Sequence, residues 1–314
     1  MRSYLRKVSQ LQKLLHLKTR RCHACRCYSN GSTNYDVIVV GGGHAGTEAA
    51  GAAARMGRNT LLVTHKIATI GEMSCNPSFG GVGKGHLMRE VDALDGLCAI
   101  ICDKSGVHYS VLNKSKGPAV WGPRAQIDRT LYKKHMQEKI LNMDNLSIKE
   151  SPVEDLILLD PDDGDNNRFK KKICAGVKLE SGELVTSKCV VLTTGTFLRG
   201  CINIGLTVRP AGRLDDEPAI GLAVSLEEIG FKMGRLKTGT PPRLDKNTID
   251  FSKLQVFKGD NPPVPFSYLS ERVWIMTREQ LDCHIGITTP VIEQLVIDSL
   301  HLNKHVQEET HGPR

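Results

Sequence analysis

The stretch that decides the fold is DVIVVGGGHAGTEAA, residues 36–50. It opens with an apolar run that ends in glycines, which is typical of a buried parallel strand. The alanine-rich segment from His44 to Met56 predicts a helix, which Gly57 closes. Residues 60–63, with the sequence TLLV, predict a second buried strand. Together these elements form a β-α-β unit of the expected length.

The glycines of this unit match the pattern G-x-G-x-x-G, and each has a physical role. Gly41 permits a tight turn, Gly43 lets the backbone approach a pyrophosphate, and Gly46 allows the helix to pack closely on the strand. The start of the helix offers free N–H groups and a positive dipole end to phosphates. A glycine-rich turn without a ligand is the alternative. The candidate cofactor-binding residues here are Gly41, Gly42, Gly43, His44, Ala45 and Gly46.

Two positions near this motif qualify the prediction. His44 is expected to make local hydrogen bonds rather than to act as a base. The carboxylate that usually holds the adenosine ribose after the second strand is missing, because Thr64, His65 and Lys66 stand there. A hydroxyl or an imidazole would supply a weaker bond at that place.

The later part of the chain favours FAD over NAD as the dinucleotide. Strands are predicted at residues 153–159, at 174–179 and from 184 onward, followed by a last buried strand at 190–195. This order is a β-meander rather than an alternation of strands and helices, and it resembles flavoproteins with two dinucleotide-binding domains. In such proteins the late strand returns beside the first and passes near the flavin. Thr194 and Gly195 are therefore candidate cofactor contacts.

Two helices are predicted before the meander begins. One follows a glycine-rich loop at residues 74–85 and carries Leu87, Val91 and Leu94 on one face. Another runs from Gln126 to about Leu141. Its basic residues are more typical of a solvated face than of an RNA contact; they are Arg129, Lys133, Lys134, His135 and Lys139.

The loop at residues 74–85 carries candidate chemistry. Cys75 would be a nucleophile or a redox thiol if cationic groups or a helix start lowered its pKa. A buried, inert cysteine is the alternative, and the position alone does not decide between them. Gly83 and Lys84 do not form a nucleotide-triphosphate loop, because Ser78 replaces the first glycine and Gly85 replaces the required hydroxyl residue.

The formal net charge of +8 comes from the first part of the chain. No acidic residue precedes Asp36, and the rest of the chain has equal numbers of basic and acidic residues. An amphipathic, basic, acid-free leader predicts a mitochondrial transit peptide over residues 1–32; a disordered basic tail is the alternative. No apolar stretch reaches the roughly 18 residues of a membrane span. The basic residues of the leader are Arg2, Arg6, Lys7, Lys13, Lys18, Arg20, Arg21 and Arg26.

Ten cysteines are present, and their spacing does not predict a metal site. Cys22, Cys25 and Cys27 lie in the leader without a second ligand cluster. The other seven are scattered, which is typical of free thiols in a reducing compartment. Cys98 and Cys102 lie on an amphipathic segment and are expected in the core.

Several long motifs in register resemble the MnmG/GidA family, from about residue 35 to the last residue. With its leader, the chain is similar to the mitochondrial, MTO-type branch of that family. The motifs are residues 36–50, MSCNP at 73–77, GKGHL at 83–87, KGPAV at 116–120, GRLKTGTPPR at 234–243 and GDNP at 259–262.

The resemblance implies an FAD-dependent enzyme that modifies C5 of the wobble uridine of mitochondrial tRNAs in the matrix. It implies NADH and methylenetetrahydrofolate as co-substrates, taurine as the added amine, a homodimer, and an MnmE-type GTPase as partner. The family's cysteines fall on Cys75 and Cys283, although the residues after Cys283 depart from the family pattern. Further FAD contact is implied for Val153. The candidate tRNA contacts are Lys116, Arg124 and Arg243.

The expected architecture is α/β, with a Rossmann-like FAD-binding domain, a β-meander and a partial inserted α/β domain. The FAD-binding domain is predicted over residues 33–202, and an inserted NADH or substrate domain over 203–314. In the family the segment after Gly312-Pro-Arg314 continues, so the resemblance implies a truncated, N-terminal portion. The alternatives are another FAD oxidoreductase of the same fold and an inactive fragment of the tRNA-modifying enzyme.

Overall fold

The computed structural model describes residues 34–159 and 172–304. The predictions for the leader, including its three cysteines, lie outside these residues, as do most of the charged loop after residue 159 and the last ten residues. The strands are β1 (Tyr35–Val40), β2 (Thr60–Thr64), β3 (Ser78–Gly80), β4 (Gly106–Leu112), β5 (Gly122–Ile127), β6 (Leu146–Glu150), β7 (Val153–Leu159), β8 (Ile173–Leu179), β9 (Leu184–Leu192), β10 (Cys201–Ile204), β11 (Thr207–Pro210), β12 (Gln255–Phe257) and β13 (Cys283–Ile285).

The helices differ in how much of their surface they bury. Those of the first half contribute to the core, whereas the last helix buries no residue among those described. The helices are α1 (His44–Arg55), α2 (Lys84–Ala93), α3 (Cys98–Asp103), α4 (Arg129–Leu141), α5 (Gly221–Glu228) and α6 (Pro290–Ser299).

The largest sheet has six strands in the order β6-β2-β1-β9-β8-β7. The four strands β6, β2, β1 and β9 are parallel, and β8 is antiparallel to both of its neighbours. In the register, Val39 of β1 lies beside Leu62 on one side and Val191 on the other. The predicted β-α-β unit and the return of a late strand beside the first are confirmed, and the fold is the Rossmann-type α/β fold.

Alternate residues of β1 point into two separate cores. Val39 packs with α1 and α4, where Tyr132 and Met136 are fully buried. Ile38 faces the other side, in a cluster that includes Leu222 of α5. A parallel strand that is buried on both faces reads as a continuous apolar run, which is why the sequence identified β1 without alternation.

Two predicted boundaries are wrong. The helix predicted from Gln126 begins at Arg129, because β5 continues to Ile127 and the Asp128 side chain caps the helix by accepting hydrogen bonds from the backbone N–H groups of residues 130 and 131. The strand predicted at 190–195 is the end of the longer β9, which stops at Leu192. It is also not fully buried, since α1 packs over β1 and β2 and leaves Val191 37% exposed.

The predicted helix after the glycine-rich loop is confirmed as α2, but its apolar face lies on the surface. Leu87, Val91 and Leu94 are 60%, 40% and 82% exposed. Within the described part of the chain, no helix is both long and apolar enough to cross a membrane.

Residues beyond 202 form short elements, some of which join the first core. Phe266 and Val273 are buried in the same cluster as α3 and β4. The buried Asp103 carboxylate anchors this segment, because its two oxygens accept hydrogen bonds from the backbone N–H groups of Phe266 (2.7 Å) and Ser267 (2.9 Å). The division into domains at residue 202 stays a prediction.

Candidate dinucleotide-binding site

A cavity of about 400 Å³ lies at the carboxyl ends of β1, β2 and β9. This is the edge of a parallel sheet at which open α/β proteins bind their ligands. Its walls come from the glycine-rich turn, the end of β2, the loop of Cys75, the segment after β9, and α5. They include Gly41, Gly42, Gly43, His44, Thr64, His65, Cys75, Val153, Thr194, Gly195, Phe197 and Asp216.

The glycine-rich turn leaves space on the cavity side and none behind it. A Cβ on Gly41, whose φ is +109°, would overlap the carbonyl oxygen of Thr193. A Cβ on Gly46 would overlap the carbonyl oxygen of Gly41, whereas one on Gly43 would meet no atom within 4 Å. These contacts agree with the steric roles expected for the three glycines. The turn is therefore a cradle that is open at Gly43, where a ligand can approach the backbone.

The start of α1 offers unsatisfied backbone donors to this cradle. Gly43 caps the helix without any side-chain hydrogen bond, and its first turn carries no acidic residue. Free N–H groups at a helix start bind anions, and the dipole adds to the attraction. The arrangement suits a pyrophosphate.

His44 is the first residue of α1, and its ring lines the cavity. Burial lowers the pKa of His44 to about 4, so its imidazole is neutral at neutral pH. The ring packs edge-on against Phe79 and Tyr132, at centroid distances of 4.9 and 5.6 Å. Its Nδ1 is buried without a hydrogen-bond partner. The expected local hydrogen bond is thus wrong for Nδ1.

The end of β2 lacks the carboxylate that usually holds the adenosine ribose, but it supplies other polar groups. Thr64 and His65 both line the cavity. The carboxylate of Asp216, from a distant part of the chain, also lines the cavity. It forms ion pairs with Nζ of Lys66 at 2.7 Å and with Nη2 of Arg213 at 2.7 Å. Burial opposes the charge of Asp216, but these two hydrogen-bonded cations outweigh it and lower its pKa. No sequence motif pointed to Asp216, because it lies in an irregular segment.

The segment after β9 forms a further part of the cavity wall. The backbone N–H of Thr193 donates to the carbonyl of Val40 at 2.9 Å, which fixes Thr194 and Gly195 beside the glycine-rich turn. Gly195 has a φ of +57°, which glycine adopts without strain. Val153, which is buried at the start of β7, forms part of the opposite wall.

Two arginines hold the loop of Cys75. Arg129 at the start of α4 and Arg243 both donate to the backbone carbonyl of Cys75, at 3.3 and 2.8 Å. Lys133, one turn after Arg129, forms an ion pair with Glu72 at 2.9 Å. This side of α4 therefore binds the loop, and the expectation of a solvated face is wrong for Arg129 and Lys133.

Cys283 lies outside the cavity, on the two-stranded sheet of β12 and β13. Burial raises the pKa of its thiol, the charge of Arg124 opposes this shift, and Asp282 adds to it. Arg124 lines a second cavity of about 430 Å³, which shares Asn76, Ser78 and Phe79 with the first. The structure thus brings Cys75, and not Cys283, to the dinucleotide cavity.

The comparisons with known proteins agree with this geometry. The family model described as "Glucose inhibited division protein A" (GIDA) matches residues 36–314. The chain belongs to the GidA family.

GidA relatives are similar over most of this chain. The protein named 5-taurinomethyluridine-tRNA synthase subunit MTO1, mitochondrial, of Macaca fascicularis is 60% identical over 281 residues, which are 90% of this chain and 40% of the relative. The tRNA uridine 5-carboxymethylaminomethyl modification enzyme MnmG of Granulibacter bethesdensis is 52% identical over 267 residues, or 85% and 41%. The chain therefore spans about two fifths of the length of these relatives.

A solved GidA structure has the same fold. GidA of Aquifex aeolicus in its form II crystal matches with a TM-score of 0.76 and 44% identity, over 85% of this chain and 43% of that one. This match confirms the expected fold class.

The remaining residues expected from the GidA resemblance are dispersed. Ala45 is exposed and Gly46 is buried behind the turn, so neither lines the cavity. Lys116 lies in an exposed turn, away from the lining of both cavities, whereas Arg243 lies at Cys75. Within residues 34–159 and 172–304, no three His, Cys, Asp or Glu side chains cluster as metal ligands.

Proposed function

We propose that this chain is the FAD-binding portion of an enzyme that modifies C5 of the wobble uridine of mitochondrial tRNAs. The observation that carries the proposal is the glycine cradle at the start of α1, which opens at Gly43 onto a cavity of about 400 Å³. The names of the relatives supply the reaction: they are a 5-taurinomethyluridine synthase subunit and a carboxymethylaminomethyl modification enzyme.

The residues present fit a dinucleotide. The backbone of Gly41 to Gly43 and the free N–H groups of α1 would hold the pyrophosphate. Thr64 and His65, which line the cavity together with Asp216, would bind the adenosine ribose. Bound FAD would supply electron-transfer chemistry. Thr194, Gly195 and Val153 would then form the walls along the rest of the cofactor.

Cys75 is the candidate nucleophile because it lines the cavity. C5 of uracil is a poor nucleophile, and a thiolate that adds at C6 gives it enolate character. Arg129 and Arg243 would hold the loop that places the thiol, through the carbonyl of the same residue. Cys283 would take a secondary role, such as protonating or stabilising an intermediate from outside the cavity.

The other components of the proposal come from the family resemblance. They are NADH as the electron source, methylenetetrahydrofolate as the one-carbon donor, taurine as the amine, a homodimer, an MnmE-type GTPase and location in the mitochondrial matrix. The relatives' name places those proteins in mitochondria. Among the candidate tRNA contacts, Arg243 lies at the loop of Cys75 and is better placed than Lys116, which lies away from both cavities.

A thiol–disulfide flavoenzyme of the same fold is the alternative from another class. It would need a redox cysteine pair within reach of the flavin. Cys98 and Cys102 are close in sequence, but they are 9% and 0% exposed. Burial raises the pKa of the Cys102 thiol, which disfavours the reactive thiolate. The geometry therefore favours the tRNA-modifying enzyme.

The visible absorption of the purified 314-residue chain tests the proposal. We expect a stoichiometric flavin band in the parent protein and a weaker band in Gly43→Ala, whose methyl group would project into the open side of the cradle. Gly234→Ala is the matched control, because its added Cβ also meets no atom within 4 Å but lies away from the cavity lining. A folded, colourless parent protein that takes up no added FAD would contradict the proposal.

A further inference from the structure

The second cavity has the character of an anion site. Its volume is about 430 Å³, and it adjoins the dinucleotide cavity through Asn76, Ser78 and Phe79. Two cationic side chains, Lys84 and Arg124, line it. No acidic residue is among its lining residues. The cavity is therefore positively charged and polar, whereas the neighbouring one is largely a cofactor cradle.

The polar groups of this cavity have no protein partners. In the described parts of the chain, the side chains of Asn76, Ser78, Lys84 and Arg124 make no hydrogen bond or ion pair. The Nε of Arg124 is buried and unsatisfied. Buried donors are nearly always paired, so the unsatisfied Nε of the half-buried Arg124 calls for an acceptor, and the exposed Lys84 adds a second positive charge beside it. Two unpaired cations that face one space are stabilised when an oxyanion enters it.

The relatives' names indicate the class of oxyanion. Both products carry a short amine on C5 that ends in an acid: a sulfonate in the taurinomethyl group, and a carboxylate in the carboxymethylaminomethyl group. We propose that the second cavity binds the acid headgroup of this small amino acid, with Lys84 and Arg124 as the charged contacts. The inference rests on the proposed function.

The position of the cavity supports this assignment. Asn76 directly follows Cys75, so the loop that carries the candidate nucleophile separates the two cavities. An amino acid with its headgroup between Lys84 and Arg124 can extend its amine past Asn76 towards a base at Cys75. A short aliphatic chain suits this path, because the two cavities share the lining residues Asn76, Ser78 and Phe79.

The test is a titration of the FAD-loaded 314-residue chain with taurine, followed by saturation-transfer NMR. Arg124→Gln and Lys84→Gln each remove one charge-assisted contact, so we expect taurine to bind roughly tenfold or more weakly in each. Lys139→Gln is the control, since it removes an exposed lysine of α4 away from both cavities and should bind as the parent does. Lys84 is exposed, so its variant tests the site even if Arg124→Gln fails to fold.

Two outcomes of the titration would overturn the inference: no taurine binding to the FAD-loaded parent, or equal taurine affinity in all variants. A third would be a parent that does not bind taurine but binds a short uridine oligonucleotide, with this binding lost in the Lys84 and Arg124 variants. The last outcome would assign the cavity to an RNA phosphate. Flavin absorption, read on the same samples, separates this inference from the proposed function. Flavin retention without taurine binding refutes only the headgroup site, whereas a folded parent chain that takes up no added FAD refutes the proposed function before any taurine is added.

Discussion

The closest steric constraint in the site lies at Gly46, and alanine at this position should destabilise the fold and distort the cofactor cradle. Its added Cβ would overlap the carbonyl oxygen of Gly41 and lie 2.8 Å from Oγ1 of Thr193. Backbone atoms cannot rotate away, so β1 and α1 must separate. Overpacking costs about 1–3 kcal/mol, and the upper end applies here. The gain in helix propensity of about 1 kcal/mol leaves a net destabilisation of about 2 kcal/mol.

Gly51 in the same helix provides the matched control. There the added Cβ meets Cδ1 of Leu97 at 2.9 Å and Nη1 of Arg55 at 3.0 Å, which are the far ends of flexible side chains. These can move, so Gly51→Ala should be neutral or more stable than the parent by up to about 1 kcal/mol. The two substitutions should differ by roughly 3 kcal/mol in the free energy of unfolding.

Urea denaturation measures this difference, and visible absorption of bound flavin measures the cradle. With a typical m-value of about 1–3 kcal/mol/M, the unfolding midpoints of the two variants should lie about 1 M or more apart. Only Gly46→Ala should lose flavin. If both variants unfold at the same urea concentration and retain flavin equally, the helix and the turn do not pack as closely as the structure shows, and the steric reasoning is wrong.

Three further predictions concern the cavity side chains. Arg243→Ala should free the loop of Cys75 and increase the rate at which a thiol reagent modifies that cysteine, as peptide mass spectrometry would show; an unchanged rate would mean that Arg129 suffices. In the parent, Cys75 should be alkylated and protected by added FAD, while the buried Cys102 stays unmodified under the same conditions; protection of neither would place Cys75 away from the cofactor. The pKa of His44 is about 4 in the folded protein and near 6.5 in an unfolded chain, so the unfolded state binds more protons between these pH values. The free energy of unfolding should therefore rise by up to about 3 kcal/mol from pH 4 to 6.5. Denaturation curves of His44→Phe should lack this pH dependence.

The cradle could be predicted from the sequence because its determinants are local. The apolar run, the glycines and the alanine-rich helix are contiguous, and the steric role of each glycine depends on neighbours within a few residues or on the adjacent strand. The carboxyl-edge rule for parallel sheets then placed the loop of Cys75 at the ligand side. The same rule, with the return of β9 beside β1, placed Thr194 and Gly195.

What could not be predicted depends on contacts across long stretches of chain. Asp216 approaches Lys66 from 150 residues away, in a segment without periodicity. Arg129 was expected on a solvated face because helical position alone does not reveal that a loop from residues 72–75 packs against it. The exposure of Val191 follows from which strands α1 covers, and a strand's own residues do not carry that information.

The geometry of the Cys75 loop ties these observations together. A loop at the edge of a parallel sheet is free to move unless other elements hold it, and here two guanidinium groups from separate elements donate to one carbonyl. On one side of the loop lies a cradle of backbone donors, which suits a pyrophosphate, and on the other lies a space with two unpaired cations. Both neighbouring sites therefore favour anions, and the residue between them is the thiol. A neutral, planar base at Cys75 would then have an anionic group on either side. A uridine that is being joined to an amino acid, next to a bound dinucleotide, has this arrangement: the pyrophosphate lies on one side and the acid group of the amino acid on the other.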